Sequence, residues 1–382
     1  MDRRDFLKAS AAASLAILAP RVVWAGEGYR NLLVLVELKG GNDGLNTVVP
    51  YADPAYYNLR PRIAIKRDDV LQLDQRFGLH PSLAPLMPLW QGRELAIVQG
   101  VGYPHPNLSH FRSIEIWDTA SPSEEYLTDG WLARAFASSP VPKSFAVDGV
   151  VVGASDLGPL AGGGTRAVAL VNTEQFLRQA KLAHPAQAQG NRALAHILKV
   201  EADVAQAAAG FNGNHAFRTE FPGGPFGNAV KTAAQVVASE AGVAAVHLSF
   251  GGFDTHQNQP GAHGNLLRQL AEGFVALRAA LQELGRWDST LVLTYAEFGR
   301  RPQENGSNGT DHGTASAHFA LGGRVKGGLY GGQGYLDRLE NGNPVYAVDF
   351  RSVYATVLER WWGVPSSGPL GGRFPTLDLV RV

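Results

Sequence analysis

The apolar positions of this chain fall into short continuous runs, each closed by glycine or a polar cluster. The first runs from Asn31 to Leu38 and stops at Gly40-Gly41. Others run from Glu94 to Gln99, closed by Gly100, from Val243 to Phe250, closed by Gly251-Gly252, and from Ser289 to Tyr295. Phe319 to Leu321 is a shorter fifth. Runs without polar alternation are expected of strands buried on both faces, the usual condition of parallel sheets. Between them Leu266, Leu267, Leu270, Phe274, Leu277, Leu281 and Leu284 recur at helical spacing, and Phe350 to Trp362 reads as a terminal amphipathic helix. Strand and helix alternating in this way predict a doubly wound α/β fold with a mainly parallel sheet.

The pattern changes between about Ser155 and Gly227. Ala161-Gly162-Gly163-Gly164 opens the stretch, an alanine-rich helical run from Thr173 to Ala209 fills it, and Pro222-Gly223-Gly224-Pro225 closes it. It is expected to be a helical cap, 155–227, inserted over the sheet. No internal period, coiled coil or low-complexity tail is present in the sequence.

The first 25 residues are of another kind. Arg3 and Arg4 are followed by Asp5, Phe6, Leu7 and Lys8, then by an apolar run from Ala9 to Pro20 and a small residue at Ala25. A charged start, a short apolar run and a processing site make an export signal, with the arginine pair as the address read by the twin-arginine machinery. The run falls short of the roughly 20 residues a membrane helix needs. Residues 26–382 are therefore expected to form one exported α/β domain bearing the cap, in the periplasm or outside the cell. Twin-arginine export carries folded proteins, and with no cysteine this domain must be stable without disulfides.

Charge narrows the partners. The whole chain is neutral, with 34 basic and 34 acidic residues, and removing the signal takes four of the former and two of the latter. A balance so close to zero gives no reason to expect nucleic acid or an anionic membrane as partner. The absence of cysteine also removes thiolate ligands and thiol nucleophiles.

Four polar clusters each follow a predicted strand, where open α/β sheets bind their ligands. In Gly40-Gly41-Asn42-Asp43-Gly44-Leu45-Asn46, Asp43 suits a hard cation or a phosphate, although the same residues make an ordinary turn. In the segment His105 to Arg112, Ser109 stands where a helix begins, either as a nucleophile at the positive helix end or as a plain N-cap. Asp254 and His256 in Gly-Gly-Phe-Asp-Thr-His form the third cluster; Asp311, His312 and His318 form the fourth. Imidazole with carboxylate makes zinc the expected ion, with manganese, magnesium or calcium as alternatives. Glu297 is a ligand or a partner to one, whereas His80, His110 and His263 read more simply as surface or capping residues.

Together Arg-Arg-x-Phe-Leu-Lys, Gly-Gly-Asn-Asp-Gly-Leu-Asn-Thr, Ser-His-Phe, Gly-Gly-Phe-Asp-Thr-His and Glu-Phe-Gly-Arg…Gly-Thr-Asp-His-Gly resemble a widespread secreted bacterial family of unknown function, grouped with the alkaline phosphatase/sulfatase superfamily. The resemblance covers nearly the whole mature chain. It implies an alkaline phosphatase-like fold, a two-metal site and a nucleophile at a helix N-terminus. Asp43 then matches the metal aspartate of the first strand, Ser109 the nucleophile, Asp254 with His256 and Asp311 with His312 two ligand pairs, and His318 the last histidine. Arg112 would bind the anionic oxygens. One residue separates Asp254 from His256 where the superfamily usually has three, and His318 comes sooner after His312 than a last ligand does. Formylglycine sulfatases are excluded, because there is no cysteine and Ser109-His110-Phe111-Arg112 lacks their spacing.

The expected function is an exported metal-dependent hydrolase of phosphate or sulfate esters, acting on a small-molecule or polymeric anionic ester. The alternatives are a noncatalytic binding or assembly protein on the same fold and a metal site that only stabilises loops.

Overall fold

The structure is a computed structural model that describes residues 28–171, 202–211, 215–239, 241–332, 336 and 338–381. The export signal and, within the expected cap, residues 172–201 and 212–214 lie outside the described residues.

The apolar runs form the centre of one large sheet. Strand β1 (Leu32–Lys39) pairs in parallel with β5 (Ala245–Gly251) on one side and with β6 (Thr290–Tyr295) on the other. Beyond β5 come β3 (Gly149–Val152) and the edge strand β4 (Ala167–Leu170), both parallel to it. Beyond β6 comes β9 (Ser316–Leu321), then β2 (Leu95–Gly102), beside which β10 (Gly328–Gly331) and β11 (Val348–Asp349) lie in parallel. Only β9 runs against the rest, antiparallel to both β6 and β2. The sheet is thus mainly parallel, as its continuous apolar strands require.

Its two faces are covered separately. On one, Val34, Val36, Val246 and Leu248 pack against Phe226, Val230, Leu267, Phe274 and Leu281 of helices α4 (Gly224–Ala238) and α5 (Gln259–Glu283). On the other, Leu33, Leu35, Leu291 and Leu293 meet Trp117, Trp131, Phe136 and Tyr354 from helices α2 (His110–Thr119), α3 (Trp131–Ser138) and α6 (Phe350–Ala355). Burial of each such large side chain stabilises the fold by about 1.5–3 kcal/mol.

Two sequence expectations are refined. The terminal helix is α-helical only over Phe350–Ala355 and continues as π-helical turns over Thr356–Trp361. The widened turns let consecutive indoles reach the start of β1, Trp361 Nε1 donating to the Leu32 carbonyl at 3.1 Å and Trp362 Nε1 to Asn31 at 2.7 Å. The beginning of the expected cap is also otherwise employed, since Ala167–Leu170 is the edge strand β4 of the main sheet.

Candidate functional site: a histidine-carboxylate cluster

The site lies where three loops meet at the strand ends. A short hairpin, β7 (Arg300–Glu304) with β8 (Thr310–His312), leans over the loop that leaves β5. The loop leaving β1 packs below both. Gly40, with φ of +115°, must be glycine there, because a Cβ would meet the Asp254 backbone nitrogen at 2.3 Å.

His110, Asp254 and His312 each turn a ligand atom inward, and these atoms all lie within 4.8 Å of one another. His110 Nε2 is 3.5 Å from Asp254 Oδ2, and His312 Nε2 is 3.2 Å from Asp254 Oδ1. Tetrahedral zinc with bonds near 2.0–2.2 Å separates its ligand atoms by about 3.3 Å, close to each of these two approaches, which reach opposite oxygens of the Asp254 carboxylate.

The outer nitrogens fix the tautomers. His312 Nδ1 donates to the Leu108 carbonyl at 2.9 Å, which can only accept. His110 Nδ1 donates to Glu297 Oε1 at 2.8 Å. With Nδ1 held outward, each Nε2 is turned toward the Asp254 carboxylate, that of His312 within hydrogen-bonding distance of Oδ1 at 3.2 Å, the orientation that outer partners impose on a metal-binding histidine. Burial also lowers the pKa of His312, which favours the neutral form. His256 Nε2 approaches to 2.9 Å from His312 Nε2 and 3.1 Å from Asp254 Oδ1, while its Nδ1 lies 3.5 Å from Asp311. Asp311 itself accepts from Asn305 Nδ2 at 3.1 Å, and this bond lowers its pKa.

Arg300 holds the loops together. Wholly buried, it donates to the carbonyls of Gly40, Gly41 (2.7 Å), Phe253 (3.1 Å) and Thr310 (3.0 Å), and to Asp254 Oδ1 at 2.6 Å. Partial burial pushes the Asp254 pKa up, but the Arg300 guanidinium outweighs this and holds it below the usual aspartate value. Asp254 is therefore an oriented carboxylate with Oδ2 still open to the site.

Of the residues singled out from sequence, Asp254, His256, Asp311 and His312 come together here. Asp43 does not join them as a ligand. It is fully buried, its Oδ1 accepts from the backbone of Leu45 and Asn46, and its Oδ2 accepts from Arg60 Nη1 at 2.6 Å and from Gln259. With both oxygens doubly engaged, Asp43 is the buried anion of a structural ion pair. His318 is also corrected. It lies inside β9, its ring packs edge-on against Trp117, and neither nitrogen has a hydrogen-bonding partner among the described residues.

Arg112 cannot be the anion clamp the sequence suggests. Its buried guanidinium donates to Glu115 Oε2 at 2.9 Å and to the carbonyls of Ser123 (3.0 Å) and Glu125. Ser109 caps α2 without a side-chain capping bond and is exposed. Its two neighbours both serve the cluster, Leu108 through its carbonyl and His110 through its ring.

His110 is the participant that sequence reasoning undervalued, whereas Glu297 takes the place of a ligand's partner that the sequence suggests for it. Glu297 is buried, accepts from the Gly40 amide at 2.9 Å as well as from His110, and keeps Oε2 without a partner among the described residues. The available signal was the pair of motifs Ser-His-Phe and Glu-Phe-Gly-Arg, whose histidine and glutamate meet in space.

Residues 30–361 match the family described as a protein of unknown function (DUF1501). The chain belongs to that family. Residues 1–20 match the twin-arginine signal sequence, so this member of the family is exported to the periplasm or beyond. Among the described residues no helix is long and apolar enough to cross a membrane. No curated protein matches the chain. Among solved structures it is similar to the PsFucS1 sulfatase from Pseudoalteromonas sp., at 13% identity over 91% of this chain and 70% of that one, with a TM-score of 0.40. It is also similar to the C-terminal periplasmic domain of EcEptC from Escherichia coli (10% identity, 76% and 72% covered, TM-score 0.36). The alkaline phosphatase from the Antarctic bacterium TAB5 is a third (13% identity, 78% and 94% covered, TM-score 0.32).

Proposed function

We propose that this chain is an exported hydrolase of phosphate or sulfate esters that works with a divalent cation held by His110, Asp254 and His312. One observation carries the reading: three residues distant in sequence present converging donor atoms, and the outer nitrogen of each of these two histidines is tied to a fixed acceptor. Two imidazoles and one carboxylate are the ligand set of an open zinc site. A cation bound there supplies Lewis-acid polarisation of an ester oxygen.

The chain's own groups do the rest. Glu297 and the Leu108 carbonyl keep the two imidazoles in register, and Arg300 fixes Asp254. Ser109 offers an uncapped hydroxyl at the positive end of α2, where negative charge is favoured. Its Oγ attacks phosphorus or sulfur, the hydroxyl proton leaving with the departing alcohol as the ester bond breaks; water then cleaves the seryl ester, returning a proton to Oγ and releasing phosphate or sulfate. His256 and Asp311 border the same centre and are positioned to bind or orient the attacking water. The part of the 155–227 stretch that follows the β4 edge strand is the element proposed to select the substrate.

Elemental analysis of the purified mature protein, beside Asp254→Ala/His312→Ala, is the test. Bound metal lost in the variant, together with turnover of aryl phosphates, diesters or sulfates that Ser109→Ala abolishes, supports the reading. Bound metal with no turnover across that panel sinks catalysis and leaves the noncatalytic binding protein.

A further inference from the structure

Glu37 is a buried carboxylate without a basic partner. Asp43 and Asp148, likewise buried, are paired with Arg60 and Arg166 at 2.6 Å. Glu37 makes no ion pair among the described residues, and its only hydrogen bond there comes from Ser249, whose Oγ donates to Oε2 at 2.8 Å. A carboxylate so placed is costly to keep charged. Burial pushes its pKa up, and the charges of Glu297 and Asp156 push the same way, against the Ser249 bond and the Lys39 ammonium. Glu37 and Ser249 are register partners on the adjacent parallel strands β1 and β5. Ser249 is only half-buried, and the glycines beside it keep its hydroxyl open. Gly251, two residues on and on the same face, is exposed, and a Cβ there would meet nothing within 4 Å. Its φ is not positive, so the backbone does not demand glycine at that position. Gly153, just past β3 on the far side of Ser249, would bring a Cβ within 4 Å of the Ser249 carbonyl oxygen alone, at 3.3 Å.

We propose that Ser249 and Glu37 form a second catalytic pair, a serine nucleophile with its general base, acting on neutral carboxylic esters. This goes beyond the hydrolase reading and does not rest on it, since His110, Asp254 and His312 take no part. The charges choose the substrate class. Glu37, Glu297 and Asp156 put three carboxylates near the hydroxyl, which repel a phosphate or sulfate dianion. A carboxylic ester is uncharged until it is attacked. Lys39, exposed and on the same face of β1 as Glu37, supplies positive charge for the oxyanion that then forms. Ser249 Oγ attacks the carbonyl carbon as its proton passes to Glu37 Oε2. The tetrahedral intermediate expels the alcohol, which takes that proton from Glu37. Water, giving a proton to Glu37, then attacks the acyl-serine carbonyl, and the carboxylic acid leaves as that proton returns to Ser249 Oγ.

The experiment is labelling of the full mature protein with phenylmethanesulfonyl fluoride, located by peptide mass spectrometry, beside turnover of p-nitrophenyl acetate in the presence of EDTA. The sulfonyl label should sit on Ser249, and acetate ester should be turned over with the chelator present. Glu37→Gln keeps the shape and still accepts from Ser249, so it should slow both reactions about 100-fold. Ser249→Ala should abolish both. No label, a label on Ser109 or another residue in place of Ser249, or a Glu37→Gln protein labelled at the wild-type rate overturns the pair. So does acetate turnover that EDTA removes. The site of the label on the wild-type chain decides the matter even where a variant does not fold. Ser249 labelled while no phosphate or sulfate ester is turned over sinks the hydrolase reading and leaves the pair standing, so the two failures are separable.

Discussion

His110 and Glu297, 187 residues apart, are joined by a 2.8 Å hydrogen bond that points the far nitrogen of the imidazole at Asp254. The bond runs from the first residue of a helix to the loop beyond a strand, and it turns a histidine that sequence alone suggests is a cap toward the Asp254 carboxylate. Glu297→Gln removes the charge while keeping the shape. It is expected to weaken zinc binding about 10–100-fold, read by competition with a chromophoric chelator, with the fold intact. An unchanged affinity would show that Glu297 serves only the Gly40 amide.

Asp43 and Arg60 make a pair with no exposed surface, their nearest atoms 2.6 Å apart. Arg60→Leu leaves an anion buried without its partner and should cost about 3–5 kcal/mol in urea unfolding. Asp43→Asn should be destabilising too, yet keep its full metal content per folded molecule. Loss of metal in a folded Asp43→Asn protein would restore Asp43 as a ligand.

Four buried histidines set an acid limit. Burial lowers His80 and His247 to about 4, and His263 and His318 to about 3, from the ordinary histidine value of 6.5. Unfolding therefore takes up protons between those values. The neutral form's stability is fully present above about pH 6.5 and declines as pH falls toward the folded values, by about 1.4 kcal/mol per pH unit for each group. His318→Phe removes one of the four and should reduce the loss between pH 6.5 and 4.5 by roughly 2–3 kcal/mol. Denaturant midpoints followed across that range decide it; parallel curves for the two proteins would mean that His318 is not the neutral, sequestered ring described above.

Much of this architecture is legible in the chain because burial on both faces writes itself as uninterrupted apolar residues. Strands β1, β2, β5 and β6 announce themselves in that way. The four-residue strands Gly149–Val152 and Ala167–Leu170 do not, since so short a run is indistinguishable from part of a helix. The site is legible where two chemically distinctive residues sit close together, as Asp254 with His256 and Asp311 with His312 do. It is illegible where the partner is remote. Nothing near Asp43 in sequence announces that Arg60 and Gln259 close around it, and Arg112 looks free until the 122–125 turn is seen folded onto it.

The three donor residues reach the centre from a helix start, a loop and a hairpin, each dependent on the completed sheet for its place. No fragment of the chain can hold all three, so ion affinity and folding belong to a single linked equilibrium. An ion at a hundred times its dissociation constant would add about 2.7 kcal/mol to the unfolding free energy of the whole domain. Thermal stability measured against free ion concentration thus becomes a titration of the site, readable without a substrate.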